Sequence, residues 1–520
     1  MLTPYRRQNS LPGSTTPPGR KSRSLRSLAR ALGVAFILGA ADARAALWAG
    51  AAKVDITERS GLVNDPLYVK ALVLSDETRV AVVVTVDAVA IGEIGPIKND
   101  YLPKVRREIQ RELKIDPASL LINASHCHGV VRADVDQLTV AAIRQAFGAM
   151  VPVRVGVGTG TEDRVMENRR MKLKSGREAD VRHAYPLPPD DQVVAVGPID
   201  PEIGILRLDD QAGRTIAVLY NYAGHPIQGV PNGGNTADIT GFASQVIEDN
   251  LPPGAVALFV QGCGGDINPV LYKDVYLPRD ARPLGQQLGL STLQALRKIS
   301  PQDGATLNML METIALPRAN HTARIAALEQ ERERLVRSLR GTTLNLKTFL
   351  ALHTRDGFAG ERPSADAHHY LSEALAGRAD FQRLDAENRK QVAAYLQNIH
   401  TMEELTRVQT NLALLKRHQQ RYEAAGGNPV QAEIVGLRVG TFHLVSFPGE
   451  LTVQIGLNLK RASPHEHTFI AGYSNGYLYY APTAEQLRNV GHAQEDSDCL
   501  LAPAWQEQFE QKAKEILGRL

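Results

Sequence analysis

The chain has 520 residues, of which 43% are apolar and 22% are charged, and its net charge is +3. A chain of this length and composition can bury a large core and has room for about two to four domains. Part of the positive charge lies near the N-terminus, and no cluster of basic and aromatic residues occurs elsewhere. We therefore expect no nucleic-acid partner.

The first 45 residues have the pattern of an export signal. Basic residues between positions 20 and 30 precede a short apolar run at 31–40, and Ala43-Arg44-Ala45 follows as a small-x-small cleavage site. An uncleaved anchor is the alternative, but the run is too short to span a bilayer. The pattern predicts a signal peptide at 1–45 and an exported mature chain at 46–520, periplasmic or secreted.

The mature chain alternates between strand and helix patterns. Apolar β-rich runs at 71–74 and 80–87 are followed by a helical pattern at 97–113 and an apolar strand at 118–124. Further strands are predicted at 151–158, 204–219, 255–260 and 432–445, with helices at 241–250 and 503–520. This order predicts an α/β fold, with a mixed sheet layered against helices.

A different composition begins at about residue 317 and ends at about 427. The block is rich in Glu, Arg, Lys, Gln and Leu, and its apolar residues recur at helical spacing, as at Ile325, Leu328, Leu335 and Leu339. We interpret it as a helical insertion between strands of the core. A structural arm is favoured over a substrate lid, and His368 and His369 within it are interpreted as surface histidines.

The strand that ends near Ala124 leads into His126-Cys127-His128. Side chains two positions apart on a strand leave the same face, so the two histidines can converge on one metal ion, whereas Cys127 should point away. By itself the pair can equally be a hydrogen-bonded loop element, because a zinc site needs three or four protein ligands.

Later strands deliver further polar residues at their ends. They are His225, Glu450 and Tyr480, each preceded by an apolar run. A lone glutamate after Pro-Gly is ordinarily a turn residue, and an arginine pair such as Arg169-Arg170 is ordinarily exposed. The Gly-rich stretch at 262–265 lacks the spacing of a phosphate-binding loop.

Taken in order, these stretches resemble the neutral/alkaline ceramidase family, and the resemblance runs from Ala49 to the C-terminus. The motifs that carry it are Gly50-Ala-Ala-Lys-Val-Asp55-Ile-Thr57, His126-Cys-His128-Gly129, Asn168-Arg-Arg170, Asn221-Tyr-Ala-Gly-His225-Pro226, Thr236-Ala-Asp238-Ile-Thr-Gly241, Gln261-Gly-Cys-Gly-Gly-Asp266-Ile-Asn268-Pro269, Pro448-Gly-Glu450 and Gly472-Tyr-Ser-Asn-Gly-Tyr-Leu-Tyr-Tyr480.

The resemblance implies a zinc-dependent hydrolase of linear amides in the catalytic domain. By resemblance, zinc is bound by His126, His225, Glu450 and Tyr480. His128 is then an acid/base or oxyanion-stabilising group, and Arg169 contacts the substrate or transition state. A tyrosine ligand is unusual, since its phenol has a pKa of about 10, but a divalent cation polarises the hydroxyl.

One position departs from the family. Ceramidases have a serine in Gly-Asp-Val-Ser-Pro, often treated as catalytic, where this chain has Asn268 in Gly265-Asp-Ile-Asn-Pro269. An amide cannot replace that hydroxyl as a nucleophile. The resemblance then implies either attack by zinc-activated water, with Asn268 as a hydrogen-bonding residue, or a loss of ceramide-type activity.

The expected substrate is an acyl amide or lipid, with N-acylsphingosine as the first candidate. Another acyl amide or ester, and a non-catalytic zinc-binding envelope protein, stay open as alternatives. Peripheral contact with a membrane is also open, and the sequence does not define the oligomeric state. The three cysteines, Cys127, Cys263 and Cys499, are expected to be free and buried.

The N-terminal pattern gives a direct prediction. Mature protein recovered from the producing cells should begin at Ala46, because the Ala-x-Ala site ends at Ala45. N-terminal sequencing checks this. An intact Met1 on the exported protein would mean that the segment is retained as an anchor.

Overall fold

The fold is taken from a computed structural model, which describes residues 47–180, 188, 190–230, 233–270, 272, 276, 279–357, 367–489 and 491–520. The predicted signal peptide lies outside the described residues. Within these ranges no helix is both long enough and apolar enough to cross a membrane.

The strands, in chain order, are β1 (Trp48–Asp55), β2 (Tyr68–Ser75), β3 (Val80–Val86), β4 (Leu120–Ala124), β5 (Val151–Thr161), β6 (Met166–Asn168), β7 (Arg170–Leu173), β8 (Glu178–Asp180), β9 (Val193–Val196), β10 (Glu202–Asp210), β11 (Thr215–Tyr222), β12 (Val256–Gln261), β13 (Ile267–Pro269), β14 (Leu307–Leu316), β15 (Val430–Val439), β16 (Phe442–Ser446), β17 (Glu450–Leu451), β18 (Thr468–Ala471) and β19 (Tyr480–Ala481).

The helices are α1 (Tyr101–Leu113), α2 (Val135–Gly148), α3 (Asp238–Asp249), α4 (Arg282–Leu296), α5 (Thr322–Ser338), α6 (Leu346–Gly357), α7 (Ala367–Leu375), α8 (Asp380–Ala424), α9 (Val453–Ala462), α10 (Gln494–Ser497) and α11 (Trp505–Arg519). The helix expected at 97–113 begins only at Tyr101, and the run expected at 432–445 divides into the antiparallel pair β15 and β16.

Two mixed sheets face each other across the main core. The larger has eight strands in the order β12-β11-β10-β5-β1-β2-β3-β4, and the smaller has the order β14-β15-β16-β18. Side chains alternate along β2: Leu72 and Leu74 enter the core between the sheets, together with Leu437 and Phe469 from the smaller sheet. Val73 faces the opposite side. Because valine, isoleucine and leucine side chains are buried on both faces of the larger sheet, its strands appear in the sequence as continuous apolar runs.

Helices cover the outer faces of both sheets. Ile205 and Tyr220 of the larger sheet share a buried cluster with residues of α3 and α4, and α2 also lies against β1 and β2. On the smaller sheet, Ile434 packs with Trp505 and Ile516 of α11. The result is a helix-sheet-sheet-helix sandwich, which confirms the predicted α/β fold with a layered mixed sheet.

The predicted helical insertion is present between β14 and β15. These two strands pair with each other in antiparallel register from Leu307↔Val439 to Leu316↔Val430, and α5 to α8 extend from their open end. Leu328 and Leu335 of α5 pack on Leu405 and Leu412 of α8 in a separate small core. We call this part, residues 317–427, the helical arm; His368 and His369 on it are exposed, as predicted.

Three parallel strand pairs end at one edge of the sandwich. They are β3 with β4, β11 with β12, and β16 with β18. The carboxyl ends of each pair lie together, and contacts bring the three pairs to one place, since the Gly472 N–H after β18 donates to the carbonyl of Gln261 at the end of β12 at 3.1 Å. The loops that follow these strands and the short strands within them contain most of the residues singled out in the sequence.

A buried amide joins the three pairs at this edge. Asn123 of β4 is fully buried; its Nδ2 donates to the Gly472 carbonyl at 2.7 Å and to Ser474 Oγ at 3.1 Å. Its Oδ1 accepts from the Gln261 backbone N–H at 2.8 Å. One side chain therefore connects β4 to the ends of β12 and β18.

We predict that Asn123→Ala lowers the free energy of unfolding by about 3 kcal/mol or more, because it leaves buried backbone groups without partners. Urea denaturation measures this. The control is Asn250→Ala, which removes one exposed hydrogen bond to the Val246 carbonyl and should change stability by less than about 1 kcal/mol. Equal effects of the two substitutions would contradict the special role of Asn123.

Candidate metal centre

The side chains of His126 and His128 lie close together, but not because they alternate along a strand. β4 ends at Ala124, and His126 has the left-handed backbone value φ 64°, so the two histidines are in a loop and not in a strand. Their ring centroids are nevertheless 5.3 Å apart. His126 is buried, His128 is exposed and Cys127 is fully buried between them. His128 therefore lies on the solvent side of the site.

His225 joins this pair from the loop after β11. Its ring centroid is 4.6 Å from that of His126 and 6.4 Å from that of His128. One ligand nitrogen from each of the three rings can be chosen so that all lie within 4.8 Å of one another. The three imidazoles are therefore close enough to face a common ion.

Two of these imidazoles have one nitrogen bonded to a backbone carbonyl. His126 Nδ1 is 2.7 Å from the Val89 oxygen, and His225 Nδ1 is 2.9 Å from the Gly264 oxygen. Such a bond fixes the ring and the tautomer, which leaves Nε2 as the ligand atom; metal-binding histidines are typically held in this way. Burial, the Arg169 charge and the two other histidines lower the pKa of His225 well below its usual value, so its lone pair stays available.

Glu450 lies against the same histidines. Its carboxylate oxygen is 3.4 Å from His126 Nε2, and both side chains are buried. Tyr473 and Tyr477 donate hydrogen bonds to its two oxygens, Tyr473 at 3.3 Å. Burial, reinforced by the negative charge of Glu450, raises the pKa of both phenols, so they remain donors. Glu450 is thus an oriented carboxylate and not a surface turn residue.

Tyr480 reaches the site through pairing of β19 with β17. Glu450 and Tyr480 are direct partners in this short parallel ladder. The Tyr480 hydroxyl is 3.5 Å from Arg169 Nη2, and the ring is 2% exposed. His126, His225 and Glu450 supply the imidazole and carboxylate donors that zinc prefers, and the Tyr480 phenol lies beside Arg169 on the strand paired with Glu450. Their assignment as the four ligands stays a prediction.

Arg169 and Arg170 are not on the surface, contrary to what an arginine pair alone would suggest. Arg169 is 0% exposed and Arg170 is 1% exposed. Arg169 Nη1 lies 3.3 Å from Asn268 Oδ1, and Nη2 donates to the Gly265 carbonyl. Arg169 therefore connects the Gly-rich loop to Tyr480, which places a positive charge beside the predicted ligands.

Asn268 lies on β13, which pairs with β6 so that Asn268 faces Glu167 and Ile267 faces Asn168. Its side chain is 0% exposed. While Oδ1 accepts from Arg169, Nδ2 has no acceptor among the described residues. A buried amide donor without an acceptor is costly in a folded protein unless a bound group satisfies it.

Unusual backbone conformations concentrate around these residues. Seven described non-glycine residues have positive φ, and four of them are His126, Tyr473, Asn475 and Tyr479. Each costs of order 1 kcal/mol and persists only where surrounding contacts enforce it. Asn475, for example, donates its backbone N–H to the Ile122 carbonyl and its Nδ2 to the Leu120 carbonyl. The loops at the site are therefore held in strained forms.

The three cysteines are free and buried, as predicted. Burial raises the pKa of Cys127 well above its usual value and that of Cys499 to about 12. A thiol that resists ionisation is a poor nucleophile.

Sequence reasoning missed two buried carboxylates near the site. Glu495 and Asp496, both 0% exposed, belong to a Gln-Glu-Asp-Ser-Asp run that reads as a solvated loop. Glu495 Oε1 accepts from Arg169 Nε at 2.7 Å, and Asp496 accepts from Arg170 at 2.9 and 3.0 Å. The adjacent arginine pair and the adjacent acidic pair are complementary, but they are more than 320 residues apart in the chain, so only the fold reveals the match.

Of the three comparisons with known proteins, the one with solved structures gives matches. No protein-family model and no curated protein sequence matches the chain. Among solved structures, neutral ceramidase from Pseudomonas aeruginosa superposes with a TM-score of 0.59 at 16% identity, covering 92% of this chain and 75% of that one. A ceramidase complexed with C2 gives a TM-score of 0.58 at 15% identity, covering 91% and 75%.

The chain is an α/β protein, built as a layered sandwich with converging strand-end loops. Its fold is that of the neutral ceramidase structures. The predicted resemblance to that family is therefore confirmed at the level of the fold, across nearly the whole described chain.

We predict that the purified protein binds about one zinc ion per chain and that His225→Ala greatly weakens binding without unfolding the sandwich. Metal analysis after dialysis, with circular dichroism for folding, tests this. His400→Ala is the control, because His400 is exposed on the helical arm. Full zinc retention in His225→Ala would contradict the assignment.

Proposed function

We propose that this protein is a zinc-dependent hydrolase of linear amide bonds, acting on N-acyl sphingoid lipids such as N-acylsphingosine. The observation that carries the proposal is the buried set of His126, His225 and Glu450, in which both histidines are fixed through Nδ1. The neutral ceramidase fold supports the choice of reaction and substrate class.

Zinc would be held by His126, His225, Glu450 and Tyr480. A zinc ion would supply Lewis acidity toward a carbonyl and would lower the pKa of a bound water to about 7. Tyr473 and Tyr477 keep the Glu450 carboxylate oriented. Because their contacts use both oxygens of Glu450, the carboxylate has little freedom to rotate away.

The remaining residues are suited to the proton transfer and to the charge that develops. His128 is exposed beside two buried histidines, so its imidazole can take a proton from water and pass it to the departing amine. Arg169 supplies a fixed positive charge, and Asn268 Nδ2 supplies a buried donor without an acceptor among the described residues. Both suit a carbonyl oxygen that becomes negative in the transition state.

Asn268 also determines the kind of mechanism. Where the family has serine, this chain offers no hydroxyl, and the buried thiols of Cys127 and Cys263 resist ionisation because burial raises their pKa values. We therefore propose direct attack by water and no covalent acyl-enzyme. An ester or a different acyl amide would pass through the same chemistry, so a substrate panel must include both.

The proposed location is outside the cytoplasm, after removal of residues 1–45. The basis is the sequence pattern alone. A lipid amide presented in an outer leaflet or in extracellular material would be accessible to such an enzyme.

We expect Glu450→Ala to abolish amide hydrolysis, because it removes an oriented carboxylate from the metal site. Asn268→Ala should reduce kcat/KM only partially, by a hydrogen bond worth about 1 to 3 kcal/mol. Tyr480→Phe should fall between them. Glu403→Ala on the helical arm is the control, and hydrolysis of a panel of N-acyl amides and esters is the measurement.

The absence of an acyl-enzyme is a separate prediction. Mass spectrometry of protein quenched during turnover should show only the unmodified chain. An acyl adduct on any residue would refute direct water attack. If zinc binds but no substrate in the panel is hydrolysed, the alternative of a non-catalytic zinc-binding protein gains support.

A further inference from the structure

Arg169 contacts the protein through all three nitrogens of its guanidinium. Its Nε faces Glu495, its Nη1 faces the Ile267 carbonyl and Asn268, and its Nη2 faces the Gly265 carbonyl and Tyr480. A guanidinium is planar, so fixing Nε fixes the direction of both terminal nitrogens. The contact with Glu495 therefore sets where Nη1 and Nη2 point.

The Arg169–Glu495 pair is sealed from solvent. Both side chains are 0% exposed, and the contact between Nε and Oε1 is 2.7 Å. Away from water, a charge-assisted bond of this length is strongly directional, and a lone guanidinium in the same place would be costly. Glu495 thus neutralises Arg169 on the side away from the site.

Neighbouring contacts hold Glu495 itself in place. Its second oxygen is 3.5 Å from Arg170 Nη1. The next residue, Asp496, accepts two bonds from Arg170 and one from Asn489 at 2.9 Å. The backbone carbonyl of Asp496 also accepts from Arg324 of the helical arm at 2.7 Å. The segment 494–498 is therefore anchored from both sides.

We propose that Glu495 is a positioning residue that aims the Arg169 guanidinium at Asn268 and Tyr480. The proposal rests on the function proposed above, because the position of the Arg169 guanidinium matters for catalysis only if that function holds. Asp209 of β10 makes a comparable ion pair with Arg207 at 2.9 Å, and its side chain is 3% exposed. The contacts described for Asp209 involve Arg207 and Thr215, not the segment that holds Arg169, so Asp209 is the matched control.

The first test compares Glu495→Gln with Asp209→Asn in the zinc-loaded mature protein. Each replaces a buried carboxylate by an isosteric amide. Glu495→Gln should lower kcat by about 10- to 100-fold with little change in KM, because a misdirected guanidinium loses transition-state contacts. Asp209→Asn should stay within about threefold of wild type, and both variants should keep zinc. Equal kcat losses in the two variants would overturn the positioning role.

A second test is chemical rescue. Added guanidinium should restore part of the activity of Arg169→Ala, because the cavity that remains still presents the Glu495 carboxylate. The double variant Arg169→Ala/Glu495→Gln should not be rescued. A purely structural role for Glu495 predicts the same rescue in both backgrounds.

Crystal structures of wild type and Glu495→Gln separate this proposal from the proposed function. If the guanidinium of Arg169 keeps its position in Glu495→Gln, the positioning role is wrong whatever the activity. If it turns away while wild type hydrolyses none of the amides or esters, the positioning stands and the proposed function fails.

Discussion

The fold depends on how three parallel strand pairs are joined at a single edge. Asn123 makes this junction with one amide, which donates to Gly472 and accepts from Gln261. Asn221 makes a related connection, donating to the carbonyls of Val260 and Ile470 at 3.0 and 3.1 Å. Sheets that pack only through apolar side chains could slide by small amounts, whereas buried amides bonded to backbone groups fix the register between them.

That register explains how residues so distant in sequence form a site. His126 follows β4, His225 follows β11, and Glu450 and Tyr480 follow β16 and β18. Each loop starts from a strand end whose position the amides define. The strained backbone at His126, Tyr473 and Tyr479 is then tolerated, because the strand ends on either side do not move to relieve it.

The sequence was sufficient for the fold class and the helical arm, because apolar periodicity and composition change sharply there. It also singled out His126, His128 and His225, which the structure brings together. It was less informative about backbone detail: the two histidines of His126-Cys127-His128 converge through a left-handed turn, which the strand period of two does not describe. It gave no indication that Glu495 and Asp496 are buried, because an acidic run near Ser and Asn residues is typical of an exposed loop. Their burial depends on meeting Arg169 and Arg170, a contact between distant segments.

The base of the helical arm is more closely integrated with the site than its tip. Arg417 and His418 of α8 bond to the Asp498 carboxylate at 2.6 and 2.8 Å, and the backbone carbonyl of Asp498 accepts from the Tyr480 N–H at 3.1 Å. At the tip of the arm, by contrast, Leu375 at the end of α7 is 91% exposed. Insertions and deletions among relatives should therefore accumulate at the far end, around α6 and α7, while the last turns of α8 keep a constant length and spacing.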